Sequence, residues 1–372
     1  MGKRKNRGGD SLLSLAYFIA VLSVLVLAHE FGHFITAKRL KVHVQIFSLG
    51  FGPKLWSVKK GETEYRLSAI PLGGYVKMAG DEPTERLEGK PSEFLSRSVG
   101  DRFKVIFAGP ALNYILAFII FSVIFMFGSP TLTTEVGGFL KDYPAEKAGM
   151  MIGDKVLSVD GKNVKYWEDM TALIHSHSEG SVKIRFDRKG VIMEKDITPI
   201  VRKTRDIFGK EASVALVGIS PSQKIESVRY GFFDSLKMGF GKLASLTVIT
   251  YKALWAVATG GLSFKESMTG PIGIFVVTGQ AAKMGLIYIF HLMGILSASL
   301  AIFNLLPLPI LDGGHILFLA IEKVRGKPMS YKTQETIANI GMAFLMLLMV
   351  FIFYNDIVKF GIVGKILGIF KR

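Results

Sequence analysis

The stretch SLLSLAYFIAVLSVLVLAHEFGH, residues 11–33, joins an uncharged apolar run to a metal-binding motif. Residues 11–28 carry no formal charge and approach the roughly 20 apolar residues that a helix needs to cross a bilayer. The run ends directly in HEFGH (29–33). Two histidines four residues apart on a helix, with a glutamate beside the first, form the zinc-binding pattern of many metalloproteases. The sequence therefore predicts a metal site at the end of a membrane helix.

The composition indicates a multi-pass membrane protein. The chain of 372 residues is 49% hydrophobic, and further uncharged runs at 105–134, 284–311 and 336–355 are long enough to cross a bilayer. The formal net charge is +16, but the basic residues are spread along the loops. This distribution is typical of membrane-flanking segments and argues against a nucleic-acid partner. Because the chain has no cysteine, any metal must be held by His, Asp or Glu.

The N-terminus has a second interpretation as a secretory signal. The basic KRKNR (3–7), the apolar run and VLA (26–28) resemble a cleavable signal peptide. Cleavage at that point would leave His29 at a mature N-terminus, outside any helix. The later membrane spans and a matching third ligand favour the membrane-helix interpretation.

The two histidines need a third protein ligand to complete a catalytic zinc site. His29 and His33 lie one turn apart on one helix face, and Glu30 lies where it could reach a metal-bound water. Acidic side chains within or beside membrane spans are rare and costly. Asp312, in NLLPLPILDGGH (304–315), is the one that stands out.

The direction of the spans decides whether these groups can meet. If the third span repeats the direction of the first, His33 and Asp312 reach the same face, provided that both terminate their helices. A fifth crossing by 243–264 would invert the third span. We therefore assign 225–264 to interfacial or amphipathic helices and expect four crossings.

Two prolines predict a break in the third span. Pro307 and Pro309 lie just before Asp312, and proline removes a helix hydrogen bond. Broken backbone in a membrane is tolerated only where it is buried in protein or lines a wet cavity. Hydrolysis within a bilayer needs such a cavity, so the break favours a catalytic site over a surface aspartate at a proline kink.

The segment 133–203 has the composition of a globular domain. Within it, YPAEKAGMMIGDKVLSVDGKNV (143–164) predicts a short helix, a turn and a strand ending in an Asp-Gly turn, and a helix near 167–175 and two strands follow. This pattern resembles a PDZ domain of the bacterial protease-associated type. PDZ domains bind extended peptide ends by adding a strand to a sheet edge. The alternative is a structural spacer that binds nothing, and His175 and His177 are expected to be surface residues.

These motifs together resemble the site-2 protease family of intramembrane zinc metalloproteases, in its bacterial RseP/RasP branch. The matching elements are HEFGH, GFGP (50–53), PLGGYVKMAG (71–80), FAGPALN (107–113), one PDZ domain, TGPIGI (269–274) and NLLPLPILDGGH. They cover nearly the whole chain in the expected order. Some relatives have two PDZ domains, whereas this chain has room for one.

The resemblance implies the composition of the active site. It implies one zinc ion per chain, held by His29, His33 and Asp312, with Glu30 as the general base for a zinc-activated water. It also implies that Asn304 orients the substrate backbone or binds the developing oxyanion.

The stretch 65–80 resembles the membrane-reentrant β-loop of the same family, which presents an edge strand to the substrate. We predict a hairpin of two short strands around its Pro-Leu-Gly-Gly turn. Gly73, Gly74 and Tyr75 are the expected substrate-binding residues. An edge strand suits this task, because the peptide bonds of a substrate helix are shielded until the segment is unwound and held extended.

The implied function is regulated intramembrane proteolysis. The substrates would be transmembrane segments of pre-trimmed single-span proteins, either anti-sigma factors or remnant signal peptides. The other expected partners are the lipid bilayer and, at the PDZ domain, peptide ends or a substrate ectodomain. The alternatives are a proteolytically inactive membrane scaffold bearing a PDZ domain and a secondary transporter.

The expected location is the bacterial inner membrane, with the active site near the cytoplasmic face and the PDZ domain outside. KRKNR would then face outward, against the positive-inside tendency, and Lys38, Arg39, Lys41 and Lys54 offset it on the other side. The predicted fold is an α-helical multi-pass protein with four transmembrane helices, a re-entrant β-hairpin and an inserted α+β PDZ domain. The expected segments are a first span (1–37), a cytoplasmic-side loop with the hairpin (38–103), a second span (104–130), the PDZ domain (131–204), a linker with interfacial helices (205–283), a third span (284–322) and a fourth span with its tail (323–372).

Overall fold

The computed structural model describes residues 7–82, 88–177, 180–205 and 211–361. The helices over these ranges are α1 (Arg7–Arg39), α2 (Val99–Phe127), α3 (Pro144–Lys147), α4 (Trp167–His175), α5 (Phe232–Ala258), α6 (Phe264–Ser267), α7 (Pro271–Met284), α8 (Leu286–Asn304), α9 (Asp312–Arg325) and α10 (Tyr331–Lys359). The strands are β1 (Val44–Lys60), β2 (Thr63–Met78), β3 (Ser129–Leu132), β4 (Val136–Phe139), β5 (Lys155–Val159), β6 (Lys162–Asn163), β7 (Val182–Arg188), β8 (Val191–Ile197), β9 (Ile200–Arg205), β10 (Glu211–Leu216), β11 (Ile219–Pro221) and β12 (Ile225–Val228).

Four helices have the length and apolar composition of membrane spans. They are α1 from Leu12 onward, α2, α8 and α10, and no further helix in the described ranges meets the same criteria. These helices keep large apolar side chains on their outer faces; Leu347 of α10, for example, is 71% exposed. Such surface is favourable in lipid and not in water. The predicted fold class, a multi-pass membrane protein with four transmembrane helices, is confirmed.

The described residues form two compact units. The first contains the chain up to Val123, the segment 236–250 and the chain from Phe264 onward, and it includes α1, α8 and α10. The second contains 124–235 and 251–263, and it includes β3 to β12.

Within the first unit, α5 runs antiparallel to α2. A Cβ added to Gly239 would lie 2.3 Å from Ser122 Oγ, and the Thr247 and Tyr114 hydroxyls are 2.7 Å apart. Residue numbers therefore rise along α5 in the direction in which they fall along α2, with equal spacing between the two contacts. The segment 239–247 of α5 therefore packs along the segment 114–122 of α2.

The helix α7 reverses the direction of α5. The Phe18 and Phe275 rings meet edge to face with their centroids 5.7 Å apart, and Gly279 lies against Ser14. The helix α7 is therefore antiparallel to α1. The assignment of 225–264 to interfacial or amphipathic helices stays a prediction: its first residues form β12, and α5 is not among the four helices that have the length and apolar composition of spans.

The end of α10 fixes the start of α7, which explains the TGPIGI motif. The Asp356 carboxylate accepts hydrogen bonds from the Gly270 amide at 3.1 Å and the Gly273 amide at 2.9 Å. The Asn355 side chain donates to the Lys265 carbonyl at 2.8 Å. Asp356 and Asn355 are both buried, so these bonds are shielded from competing water.

The third apolar segment is broken as the prolines predict. The helix α8 ends at Asn304, and Asp312 is the first residue of α9. The helix α1 continues past His33 to Arg39. The expectation that His33 and Asp312 both terminate their helices is therefore wrong, because the turn between α8 and α9 presents the aspartate from the beginning of a new helix.

The strands β1 and β2 form one long antiparallel hairpin. Its turn contains Gly61, whose φ is +63°, and Lys60 pairs with Thr63 across it. The hairpin predicted within 65–80 is therefore wrong: β2 runs through the Pro-Leu-Gly-Gly stretch, and its partner is β1. The glycines in this stretch permit a bend in a long strand and do not reverse the chain.

Both long strands bend, so that each contributes two ladder segments. Phe47 is paired with Val76 on one side and with Tyr65 on the other, and Tyr65 also pairs with Val58. The Phe34 ring of α1 packs on Phe47 with centroids 5.0 Å apart. The register gives the ladder order 54–60, 63–68, 44–49 and 74–78. The segment 74–78 is therefore an edge of this small sheet.

The second unit contains the sheet region in which the PDZ domain is expected. Four antiparallel strands lie in the order β6-β5-β7-β8 around a core that includes Val156, Phe186 and Met170 of α4. The strands β10, β11 and β12 pair back with β9, β4 and β3. The domain therefore continues to Val228, and the predicted boundary at 204 is too early.

Candidate metal centre

Three ligand-type atoms converge between α1 and the start of α9. His29 Nε2 is 3.2 Å from His33 Nε2 and 3.1 Å from Asp312 Oδ2, and His33 Nε2 is 3.6 Å from the same oxygen. With zinc–ligand bonds of about 2.0–2.1 Å, two ligand atoms of a tetrahedral site lie about 3.3–3.5 Å apart. Asp312 Oδ2 is buried and receives no hydrogen bond, as expected of a metal ligand. The donor set therefore fits zinc, and within the described ranges it is the one His/Asp/Glu cluster of this kind.

Two glycines let Asp312 begin α9 directly against the preceding turn. A Cβ added to Gly313 would lie 2.2 Å from the Leu306 carbonyl oxygen, and one added to Gly314 would lie 2.2 Å from the Leu308 oxygen. Neither distance leaves room for a side chain. The Asp-Gly-Gly sequence thus allows the first turn of α9 to pack closely on the broken segment, and this packing fixes the position of Asp312.

Close packing of α1 on α2 positions His33. A Cβ added to Gly32 would lie 2.2 Å from the Ala108 carbonyl oxygen, and one added to Gly109 would lie 2.2 Å from His33 Nε2. The His33 Nδ1–H donates to the Val105 carbonyl at 2.9 Å. This bond leaves the lone pair of Nε2 for a metal.

The structure adds Asn113, to which sequence reasoning assigned no role. Its side chain is fully buried, and its amide nitrogen is 3.4 Å from His29 Nδ1. The Ser297 hydroxyl of α8 donates to the Asn113 carbonyl at 2.7 Å. The FAGPALN motif ends at this residue, but sequence spacing alone does not relate it to a histidine on another helix.

The glutamate of the motif faces the edge segment of β2. A Cβ added to Gly74 would lie 3.1 Å from Glu30 Cγ, 3.1 Å from Val26 Cγ1 and 2.8 Å from the Ser48 carbonyl oxygen. A larger side chain at this position would separate the strand from α1. Gly74 therefore lets the edge of the sheet lie beside Glu30, next to the cluster of His29, His33 and Asp312.

Gly73 and Tyr75 lie on the opposite face of the strand. A Cβ added to Gly73 would overlap the Phe51 ring, and Phe51 stacks on Tyr75 with centroids 6.3 Å apart. Of the three expected substrate contacts in this strand, only Gly74 is beside Glu30.

Asn304 is the last residue of α8 and is half-buried. It begins the broken segment that leads to Asp312. Its relation to the proposed metal ligands is this connection along the chain to Asp312.

One ion pair joins the sheet to the end of α1, and others lie within the sheet. The Lys38 ammonium lies 2.5 Å from Glu62 Oε1, and this hydrogen bond lowers the pKa of Glu62. The Arg66 guanidinium, with Lys54, holds the pKa of Glu64 at about 2. Both carboxylates therefore remain ionised at neutral pH, although exposed pairs of this kind add little stability.

A cavity of about 280 Å³ lies between the first turns of α2, the helix α9 and the start of α10. Arg102 and Glu322 form an ion pair inside it, with side chains that are 10% and 15% exposed. Its wall includes His315, three residues after Asp312. A partly polar space therefore begins about one helical turn from the proposed metal ligand.

Comparison with known proteins gives a family match across most of the chain. The model of peptidase family M50 matches residues 17–348. The regulator of sigma E protease of Haemophilus influenzae is 31% identical over 445 aligned positions, which cover 94% of this chain and 99% of that protein. The zinc metalloprotease RasP of Bacillus licheniformis is 31% identical over 420 positions, which cover 91% of this chain and 97% of that protein.

A second RasP zinc metalloprotease, from Geobacillus kaustophilus, is 30% identical over 429 positions, which cover 94% of this chain and 99% of that protein. Among solved structures, the PDZ domain of an SdrC-like protein from Listeria monocytogenes matches 24% of this chain and 85% of its own, with 23% identity and a TM-score of 0.18.

Proposed function

Because the chain belongs to peptidase family M50 and is a zinc-dependent metalloprotease, we propose that it cleaves peptide bonds within the membrane at the centre described above. The observation that carries this proposal is the convergence of His29, His33 and Asp312, with ligand atoms 3.1–3.6 Å apart, next to Glu30. An inactive scaffold or a transporter would have no need of a glutamate between two such histidines.

Zinc bound by these three residues would acidify a water molecule and polarise the scissile carbonyl. Both histidines would bind through Nε2, because their Nδ1 atoms face α2. Glu30 accepts the proton that the attacking water loses and then donates it to the leaving nitrogen. The water oxygen ends in the new carboxyl group, and the proton ends on the new amine.

The edge segment 74–78 supports the proposal by offering a partner for an unwound substrate. Peptide bonds in a membrane helix are shielded by their own hydrogen bonds, so that the scissile segment must become extended before attack. An extended segment can add to a sheet edge as a further strand through backbone hydrogen bonds. The contact of Gly74 with Glu30 would bring the paired peptide to the base, and Asn304 would bind its carbonyl oxygen.

Water would reach the centre through the cavity between α2, α9 and α10. The buried Arg102–Glu322 pair keeps part of its wall polar, and polar walls favour water over lipid tails. His315 lies between this space and Asp312 along α9.

The chain is a multi-pass inner-membrane protein. Its proposed substrates are transmembrane segments of single-span proteins trimmed by an earlier cut, either anti-sigma factors or remnant signal peptides. In the proposed orientation, the metal centre is near the cytoplasmic face and the PDZ-like domain is outside. Protease accessibility of that domain in intact cells tests this orientation.

The PDZ-like domain would bind a peptide end of the substrate in a shallow groove. Trp167 and Ile174 of α4 line one side, and Leu216 and Ile219 line the other. An apolar groove between a helix and a strand suits an extended peptide with apolar side chains.

The variant Glu30→Gln tests the proposed chemistry. It is expected to retain zinc and to lose cleavage of a single-span protein in liposomes, because its amide cannot accept the water proton. His33→Ala should lose both zinc and cleavage. Near-normal turnover by Glu30→Gln would rule out Glu30 as the base.

A further inference from the structure

Asn113 lies at the junction of three helices beside the metal cluster. It is on α2 and contacts His29 of α1. Its backbone carbonyl accepts a hydrogen bond from the Ser297 hydroxyl of α8. Its side chain has no exposed surface. Its Oδ1 is a buried acceptor without a hydrogen bond in the described part of the chain. A lone buried acceptor is costly, so that its presence beside a proposed ligand calls for a physical reason.

The proton on His29 supplies that reason. A histidine that binds zinc through Nε2 is neutral and carries its ring proton on Nδ1, which is then a donor. The Asn113 amide nitrogen Nδ2 lies 3.4 Å from His29 Nδ1, and it is also a donor. Two donors cannot pair. The oxygen and nitrogen of an asparagine amide have nearly the same shape and are assigned by their hydrogen bonds.

We propose that Asn113 is a positioning residue that accepts the His29 Nδ1–H through Oδ1 and thereby holds His29 in the tautomer that the metal requires. A half-turn of the amide gives Oδ1 this partner and places Nδ2 where Oδ1 was. The inference rests on the proposed zinc ligation by His29.

The matching arrangement on the other histidine supports the proposal. His33 Nδ1 is bonded to the Val105 carbonyl, so that α2 contacts the Nδ1 atoms of both proposed ligands. The acceptor for His33 is backbone and is present in every variant. The acceptor for His29 is a side chain, and it alone can be changed by substitution.

The test compares Asn113→Leu with Asn113→Asp in the full-length protein purified in detergent. Zinc affinity is measured by competition between the metal-free protein and a chromophoric chelator. Leucine fills a similar volume without an acceptor, and the expected loss of zinc affinity is about 10- to 100-fold, as is typical when the hydrogen-bond partner of a metal-bound histidine is removed. Aspartate keeps an acceptor oxygen and should remain within about threefold of the wild type.

Ser297→Ala is the matched control, because it removes a hydrogen bond to the same residue without altering the amide. It should keep the wild-type zinc affinity. Equal zinc affinity in Asn113→Leu and the wild type would overturn the proposal, as would an equal loss in Asn113→Leu and Asn113→Asp, which would indicate a packing role. Absence of zinc binding in the wild type would instead contradict the proposed function, so the two failures are distinguishable.

Discussion

Gly32→Ala tests whether the contact between α1 and α2 holds the metal ligands in place. The added Cβ would lie 2.2 Å from the Ala108 carbonyl oxygen and 2.9 Å from Gly109 Cα. A close carbon–oxygen contact needs about 3.3 Å, so that the helices must separate by about 1 Å. Both obstructing atoms belong to the backbone of α2, so that no side-chain rotation can relieve the clash.

This separation acts directly on the next residue, His33. Its hydrogen bond to the Val105 carbonyl is 2.9 Å long and would lengthen to about 4 Å, which is too long for a hydrogen bond. A misplacement of about 1 Å at a catalytic site can lower the rate about 100-fold. We therefore expect kcat/KM to fall by about two orders of magnitude, with weaker zinc binding.

The assay measures cleavage of a single-span protein in liposomes, zinc content and the thermal unfolding midpoint for the same preparations. Gly241→Ala is the matched control, since nothing lies within 4 Å of a Cβ added at that position in α5. It should keep wild-type activity. If Gly32→Ala retained kcat/KM within about threefold of the wild type, the packing argument for His33 would be refuted.

Three other substitutions test separate parts of the structure. Burial alone would raise the pKa of Asp154, but hydrogen bonds from Arg188 and a backbone amide hold it below its usual value. The carboxylate therefore contributes stability above its unfolded pKa that is lost as pH falls through the folded pKa. Asp154→Asn should cost about 3 kcal/mol at neutral pH and flatten the acid dependence of hydrogen exchange in β5 to β8, and an unchanged dependence would contradict this. Asp356→Ala removes the acceptor for two backbone amides at the start of α7 and should cost about 3 kcal/mol, measured as a lower unfolding midpoint that Asp356→Asn partly restores; an unchanged midpoint would argue against this anchor. Gly74→Ala should lower kcat/KM roughly tenfold at unchanged zinc content, because the edge strand must move away from Glu30, and wild-type kinetics would remove the strand from the mechanism.

The residues of the metal cluster could be chosen from the sequence because each is specified locally or is chemically rare. His29 and His33 share a helix face through their spacing alone. Asp312 is an acidic residue beside an apolar run, where carboxylates are uncommon. The prolines at 307 and 309 predict the break before it. The structure brings the ligand atoms of the three side chains to 3.1–3.6 Å from one another, close to the spacing of a tetrahedral site.

The contacts between helices could not be predicted in the same way. Asn113 is 84 residues from His29, and only the packing of α2 on α1 brings them together. The direction of α8 was expected from a rule that counted crossings. The four helices with the composition of spans agree with that count, and α5 and α7 lie antiparallel to α2 and α1.

Glycines were the least reliable signal. Gly73 and Gly74 suggested a turn, but they permit a bend and a close approach within one long strand. Gly61, with the left-handed backbone that the turn requires, reverses the chain instead. A glycine in an extended segment can either form a turn or allow a bend within one strand. The pairing with the partner strand determines which of the two occurs.

Zinc X-ray absorption of the purified protein tests whether His29, His33 and Asp312 bind zinc. We expect one zinc per chain with two imidazole nitrogens at about 2.0–2.1 Å and carboxylate oxygen at about 2.0–2.2 Å. It also predicts that zinc is lost from Asp312→Ala and retained in Asp356→Asn, which changes a buried carboxylate at the start of α7. A zinc spectrum without imidazole scattering, or one that Asp312→Ala leaves unchanged, would contradict the account.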